Sequence, residues 1–132
     1  MKKSNNRIAL VGLGYVGLPL ALELAKKYIV TGFDIDTLRI SELERGVDST
    51  LEVSSSDLKK VLLVKNENQI HEKNGLLLSA NAKAISSANI FIITVPTPID
   101  SHKKPNLKPL ISASKLVGGF LKKNDLVIYE ST

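Results

Sequence analysis

Short apolar runs alternate with amphipathic stretches along the whole chain, and the two periods predict an alternation of strands and helices. Residues 8–11 (Ile-Ala-Leu-Val) form an unbroken apolar run, the pattern of a short strand buried on both faces. Residues 18–25 read as a helix, with Pro19 tolerated near its start, where an N–H has no helical partner. A second strand is expected over 29–33. A helix follows over 37–45, capped by Asp36 or Thr37 and stopped by Gly46. Residues 48–74 are polar and less regular. Within them Ser54-Ser55-Ser56-Asp57 suits the start of a short helix over 58–62, and 66–75 reads as loop or frayed helix.

Beyond that stretch the alternation resumes. A short strand is expected at 76–78, a short helix at 82–88, and a strand at 90–95 whose β-branched and aromatic residues make it the clearest in the chain. It stops at Pro96-Thr97-Pro98, and a polar loop runs through Lys104. A helix is then expected from 105–107, with Asn106 as its N-cap, to about residue 121, and a last strand over 125–129.

Strands alternating with helices predict an α/β fold, a Rossmann-like, doubly wound parallel sheet in one three-layer domain spanning 1–132, with right-handed crossovers. On such sheets ligands bind outside the carboxyl ends of the strands. Residues 12–17, Asp34, 94–97 and 130–132 all follow predicted strand ends, so segments far apart in sequence should share one crevice.

Composition narrows the chemistry. The chain is 132 residues long, one domain's worth, and it contains no cysteine, which excludes disulfides, thiolate metal sites and a cysteine nucleophile within it. No run approaches the roughly 20 apolar residues that span a bilayer. The apolar stretch after Lys2, Lys3 and Arg7 is broken at once by glycines, which argues against a signal peptide and for a cytoplasmic protein. The formal charge of +5 comes mostly from scattered lysines. With Arg7, Arg39 and Arg45 its only arginines and no aromatic stacking set, the basic balance reads as solvated surface rather than a nucleic-acid site. His71 and His102 stand in polar loops without spaced ligands, so no metal site is expected.

The candidate chemistry lies at the first strand end. Gly12-Leu13-Gly14-Tyr15-Val16-Gly17 has the glycine spacing of a dinucleotide-binding turn: Gly12 for the tight turn, Gly14 for close approach of backbone to pyrophosphate, Gly17 for close packing of the helix on the strand. The helix offers unpaired N–H groups and the positive end of its dipole. Asp34 follows the second strand about 20 residues on, where a carboxylate accepts the adenosine ribose hydroxyls and repels a 2′-phosphate. NAD is therefore expected rather than NADP.

Four stretches in order, Gly-Leu-Gly-Tyr-Val-Gly-Leu-Pro-Leu-Ala at 12–21, Gly-Phe-Asp-Ile-Asp at 32–36, Val-Pro-Thr-Pro at 95–98 and Glu-Ser-Thr at 130–132, resemble the UDP-glucose/GDP-mannose dehydrogenase family over essentially the whole chain. Residues 48–53, together with 97–100, are more similar to its UDP-N-acetylhexosamine 6-dehydrogenase branch, including the Vi-polysaccharide type. The resemblance implies an enzyme of surface polysaccharide synthesis that oxidises the C6 alcohol of a nucleotide sugar to the acid, in two hydride transfers to two NAD. It also implies a cysteine that carries the intermediate as thiohemiacetal and thioester. Because this chain lacks that cysteine, the central dimerisation helix and the sugar-binding half, it is expected to be the NAD-binding fragment. Alone it should be inactive, and the full enzyme a homodimer or larger.

Carried over by position, the resemblance implies that Gly12, Gly14 and Gly17 form the pyrophosphate turn, with the Leu13, Tyr15 and Val16 amides lining it. Asp34 and Ile35 serve the adenosine side. Arg39 stacks on adenine or pairs with the acid. Val95, Pro96 and Thr97 wall the nicotinamide ribose. Thr132 orients the catalytic water and contacts NAD, and Glu130, where some relatives carry lysine, is a second candidate for catalysis. Two rival readings share the opening turn. A 3-hydroxyacid-type dehydrogenase usually has methionine where this chain has Val16, and often prefers NADP. A non-catalytic dinucleotide sensor would not need Val-Pro-Thr-Pro or Glu-Ser-Thr.

Overall fold

The computed structural model describes residues 5–63 and 73–130. Five strands, β1 (Arg7–Val11), β2 (Ile29–Phe33), β3 (Gly75–Ser79), β4 (Ile90–Ile93) and β5 (Leu126–Tyr129), form one sheet in the order β3-β2-β1-β4-β5. Every neighbouring pair is parallel. Among the described residues four helices, α1 (Gly17–Ala25), α2 (Thr37–Glu44), α3 (Ser55–Val61) and α4 (Lys108–Gly118), and a 3-10 turn at Ala82–Ile85 lie in the connections. This is the expected doubly wound α/β architecture.

The strand period of two sorts the core into two layers. Ile8 and Leu10 of β1 face one side with Val30, Leu76, Leu78 and Ile92, where α1, α2 and α3 cover them through Leu18, Leu22, Leu43 and Leu58. Ala9 and Val11 face the other side with Phe33, Phe91 and Ile93, under α4 (Ala113, Val117) and the 3-10 turn (Ile85). Helices on both faces explain why the inner strands are almost continuously apolar, with Arg7 at the start of β1 and Thr31 in β2 as the polar positions. The register levels the ends of three strands, since Val11 pairs with both Phe33 and Ile93. Chain order reverses between β1 and β4, and this switch point opens the crevice.

Several element boundaries differ from expectation: α3 starts at Ser55 rather than 58, and α4 ends at Gly118 rather than about 121. The helix expected over 82–88 is only the Ala82–Ile85 turn, capped by the Asn81 side chain on the Lys83 amide at 3.0 Å. The strand expected to reach Val95 ends at Ile93, level with Val11, because β1 turns away at Gly12 (φ +105°) and leaves no strand residue to pair beyond it. The last helix begins at Lys108, and Leu107 occupies the cap position. Asn106 still acts locally, accepting from the Lys108 amide at 3.0 Å, but its own amide is turned back onto the Pro98 carbonyl at 2.7 Å. Residues 98–106 thus close on themselves, with Asp100 accepting from the His102 and Lys104 amides. His71 and most of the stretch read as loop or frayed helix lie outside the described residues.

Candidate functional site

Val11 leads out of β1 into Gly12, whose φ of +105° only glycine adopts without strain. From there the turn is held from behind, peptide by peptide. The Gly12 carbonyl accepts from the buried Thr94 hydroxyl at 2.6 Å. A planar trans peptide puts the next N–H on the opposite side. There the Leu13 amide meets Asp34, donating to Oδ2 at 2.9 Å. The Leu13 carbonyl in turn accepts from Arg39 Nε at 2.8 Å. The Leu13 side chain is fully buried and packs over Gly32, where a Cβ would lie 3.0 Å from it.

This geometry gives the three glycines different tasks. A Cβ at Gly17 would overlap the Gly12 carbonyl oxygen, so Gly17 is required for helix to meet turn. A Cβ at Gly14 would meet nothing within 4 Å, so no protein atom explains a glycine there. Open space over Gly14 is what close approach of a ligand needs. No side chain caps α1, whose N-cap is Val16, so its first-turn N–H groups lack a side-chain acceptor.

Asp34 closes the adjoining wall. Besides the Leu13 amide it accepts from the Asp36 amide through Oδ1 at 3.0 Å. Each carboxylate oxygen therefore makes one protein hydrogen bond and keeps capacity for another. Asp36 caps α2 by accepting from the Leu38 and Arg39 amides. Beyond Asp34 the Ile35 side chain is 82% exposed. A cavity of about 580 Å³ runs between these elements, lined by Gly12, Leu13, Gly14, Asp34, Ile35, Asp36 and Arg39 on one side and Val95 and Pro96 on the other. Val11 and Phe33 also line it, and α4 closes it through Pro109, Ser112, Ala113 and Leu116.

Of the residues proposed from sequence, the cavity brings together Gly12, Leu13, Gly14, Asp34, Ile35, Arg39, Val95 and Pro96. Tyr15 and Val16 are exposed at the mouth of α1, 68% and 45% respectively, and do not line the cavity. Gly17 is buried beneath the turn, and Thr97 is half-buried past the cavity wall. Glu130 is exposed at the carboxyl end of β5, where its amide donates to the Ile93 carbonyl at 2.9 Å, and it too is outside the lining. Thr132 lies outside the described residues.

Two expectations about individual groups change. The Leu13 amide does not face a ligand; it is taken by Asp34. Arg39 neither pairs with Asp34 nor projects into solvent. Its side chain is 9% exposed, and its Nη1 donates to Glu42 at 2.6 Å and Asp48 at 2.8 Å. Nη2 is buried without a hydrogen-bond partner. Burial opposes the guanidinium charge, but the hydrogen bonds to Asp48 and Glu42 outweigh it and raise its pKa. Burial would likewise push the Asp48 carboxyl up. The Thr50 hydroxyl, the Arg39 guanidinium and the Val53 and Thr50 amides win, bringing it from 3.8 to about 2. The Arg39 and Ser49 hydrogen bonds also lower Glu42.

Sequence reasoning missed the α4 wall and Thr94 as a brace, and it singled out Asp48 only within the 48–53 resemblance, without a role. The i, i+3, i+4, i+7 spacing of Pro109, Ser112, Ala113 and Leu116 marks one helix face, but only the fold shows what it faces. Among the described residues no group of three or more His, Cys, Asp or Glu is placed to hold a metal ion. Nor is any helix among them long and apolar enough to cross a membrane.

The sequence profile of the UDP-glucose/GDP-mannose dehydrogenase family, NAD binding domain, matches residues 6–132. A UDP-N-acetyl-D-glucosamine 6-dehydrogenase of Pseudomonas aeruginosa is 52% identical over 96% of this chain and 27% of its own length. A protein of that name from Salmonella typhi is 45% identical over the same shares. The structure of a UDP-D-ManNAc dehydrogenase from Pyrococcus horikoshii superposes with a TM-score of 0.82 at 34% identity, over 96% of this chain and 28% of that one. The chain thus spans about a quarter of the length of the curated relatives it matches.

Proposed function

Because the chain belongs to the UDP-glucose/GDP-mannose dehydrogenase family and matches its NAD-binding domain, we propose that it is the cofactor-holding part of a longer nucleotide-sugar 6-dehydrogenase. The substrate is a UDP-N-acetylhexosamine, either the gluco or the galacto isomer, oxidised at C6 to the uronic acid for surface polysaccharide synthesis. Identity to relatives named for UDP-N-acetyl-D-glucosamine supports the sugar. The protein acts in the cytoplasm as a homodimer or larger assembly, without nucleic-acid or membrane partners. Bound NAD+ supplies the hydride acceptor.

The observation that carries the cofactor reading is Asp34 at the rim of the cavity beside the glycine turn, both oxygens oriented by backbone amides. Open space over Gly14 and a 580 Å³ slot between Ile35 and α4 suit a diphosphate and a flat base. Gly12, Gly14, Tyr15, Val16 and Gly17 hold the pyrophosphate through the turn and the start of α1. Asp34 accepts the ribose hydroxyls and Ile35 covers the base. Arg39 serves the cofactor from beneath the turn rather than by stacking. Val95, Pro96 and Thr97 bound the nicotinamide side. Glu130 and Thr132 serve the chemical step, Thr132 by orienting water and contacting NAD.

Titrating the intact gene product with NAD+ and NADP+ tests this. NAD+ should bind at least tenfold more tightly, on the order of the cost of setting a phosphate against a carboxylate, and Asp34→Asn should narrow the gap. Tighter binding of NADP+ by the wild type would overturn the assignment. Assaying UDP-N-acetylglucosamine, UDP-N-acetylgalactosamine and UDP-glucose side by side then decides the sugar.

A further inference from the structure

Asp48 belongs to no strand or helix, yet it is among the most constrained side chains in the molecule. Its side chain is 0% exposed. Oδ1 accepts from Arg39 Nη1 at 2.8 Å, the Thr50 hydroxyl at 2.6 Å and the Thr50 amide at 3.0 Å. Oδ2 accepts from the Glu52 and Val53 amides at 2.9 and 3.1 Å. These bonds wrap residues 48–53 around the carboxylate and carry Leu51 into a positive φ of 59°, unusual for a branched residue. A buried ion pair of this kind is a weak reason for stability, because apolar residues of similar volume often stabilise as well. What the pair does secure is the position of the guanidinium.

That position reaches the cofactor turn. With Nη1 held by the fully buried Asp48 and, from the rim, by Glu42, Nε of the same rigid fork meets the Leu13 carbonyl at 2.8 Å. Peptide planarity then directs the Gly14 N–H to the opposite side, away from Arg39. We infer that Asp48 is a positioning residue for dinucleotide binding, acting through Arg39 on the Leu13–Gly14 peptide. The inference rests on the proposed placement of the pyrophosphate on this turn. Its energetic effect should therefore fall on the diphosphate and not on the nucleoside.

The test is to titrate the intact gene product and its variants with NAD+, ADP and adenosine, well below the melting temperature of each. Asp48→Asn should weaken NAD+ and ADP about tenfold, the loss expected of one charge-assisted hydrogen bond, while adenosine stays within about twofold. Arg39→Lys, which keeps the cation but not the planar fork, should give the same pattern and decides the matter if Asp48→Asn does not fold. The double variant should bind no worse than Arg39→Lys alone. Unchanged NAD+ affinity in a folded variant, equal loss for all three ligands, or additive losses in the double variant would overturn the inference alone. Failure of the wild type to bind NAD+ and ADP would instead sink the cofactor reading on which it rests.

Discussion

The first and last strands of the sheet are equally apolar in sequence and end in opposite situations. β1 buries all four of its apolar residues, whereas in β5 Leu126 and Tyr129 are 51% and 53% exposed. β1 lies at the centre, paired on both sides and covered on both faces, while β5 pairs only with β4 among the described strands. The residues following the two strands differ in the same way. After β1 the first two turn carbonyls, of Gly12 and Leu13, are held by the buried side chains of Thr94 and Arg39 before any ligand arrives. After β5 the Glu130 side chain is exposed, and a backbone bond to Ile93 is what ties it down. Apolar composition makes a strand, but preorganisation comes from what stands behind its carboxyl end.

The comparison breaks first, and most severely, at the glycine turn. Gly17→Ala should cost roughly 3 kcal/mol or more of unfolding free energy and abolish NAD+ binding, because backbone must move to admit the methyl group. Gly14→Ala, with nothing near its added Cβ, should change stability by no more than about 1 kcal/mol yet weaken NAD+ on the order of tenfold. Chemical unfolding and calorimetric titration of the two variants separate the tasks; equal stability losses would erase the distinction.

A smaller effect lies in the acid limb of stability. A carboxylate whose pKa falls from 3.8 to about 2 on folding stabilises fully above pH 4, and that contribution is lost as pH drops towards 2. In unfolding titrations between pH 5 and 2, Asp48→Asn should therefore show an acid-dependent loss smaller than wild type by about 2 kcal/mol. The smallest effect belongs to β5. Leu126→Thr should shift stability by no more than about 0.5 kcal/mol; a loss of core size would mean that β5 is as enclosed as β1.

Much of this was legible because it is local. The glycine spacing, the apolar run of β1 and the acid closing β2 declare themselves within short windows, and the strand–helix alternation follows from period alone. Element ends were less so. Thr94 is β-branched and reads as strand, but its hydroxyl bonds to the Gly12 carbonyl and the strand stops one residue earlier. Arg39 reads as a cation that stacks on adenine or pairs with Asp34, and nothing near it in sequence indicates a carbonyl 26 residues back as its partner. Asp48 sits in a polar stretch where acids are ordinarily solvated, and nothing in that stretch indicates the buried Arg39 with which it pairs.

The Thr94 brace also bears on when a cofactor site can exist. It joins residues 82 apart in sequence, although the turn it shapes is finished within the first seventeen. Loop closure over such a span has to precede the contact that rewards it. A chain emerging from the ribosome therefore carries its entire glycine fingerprint long before that fingerprint can grip a phosphate. Competence arrives only when β4 docks beside β1, which makes NAD+ a ligand of the assembled sheet rather than of the motif.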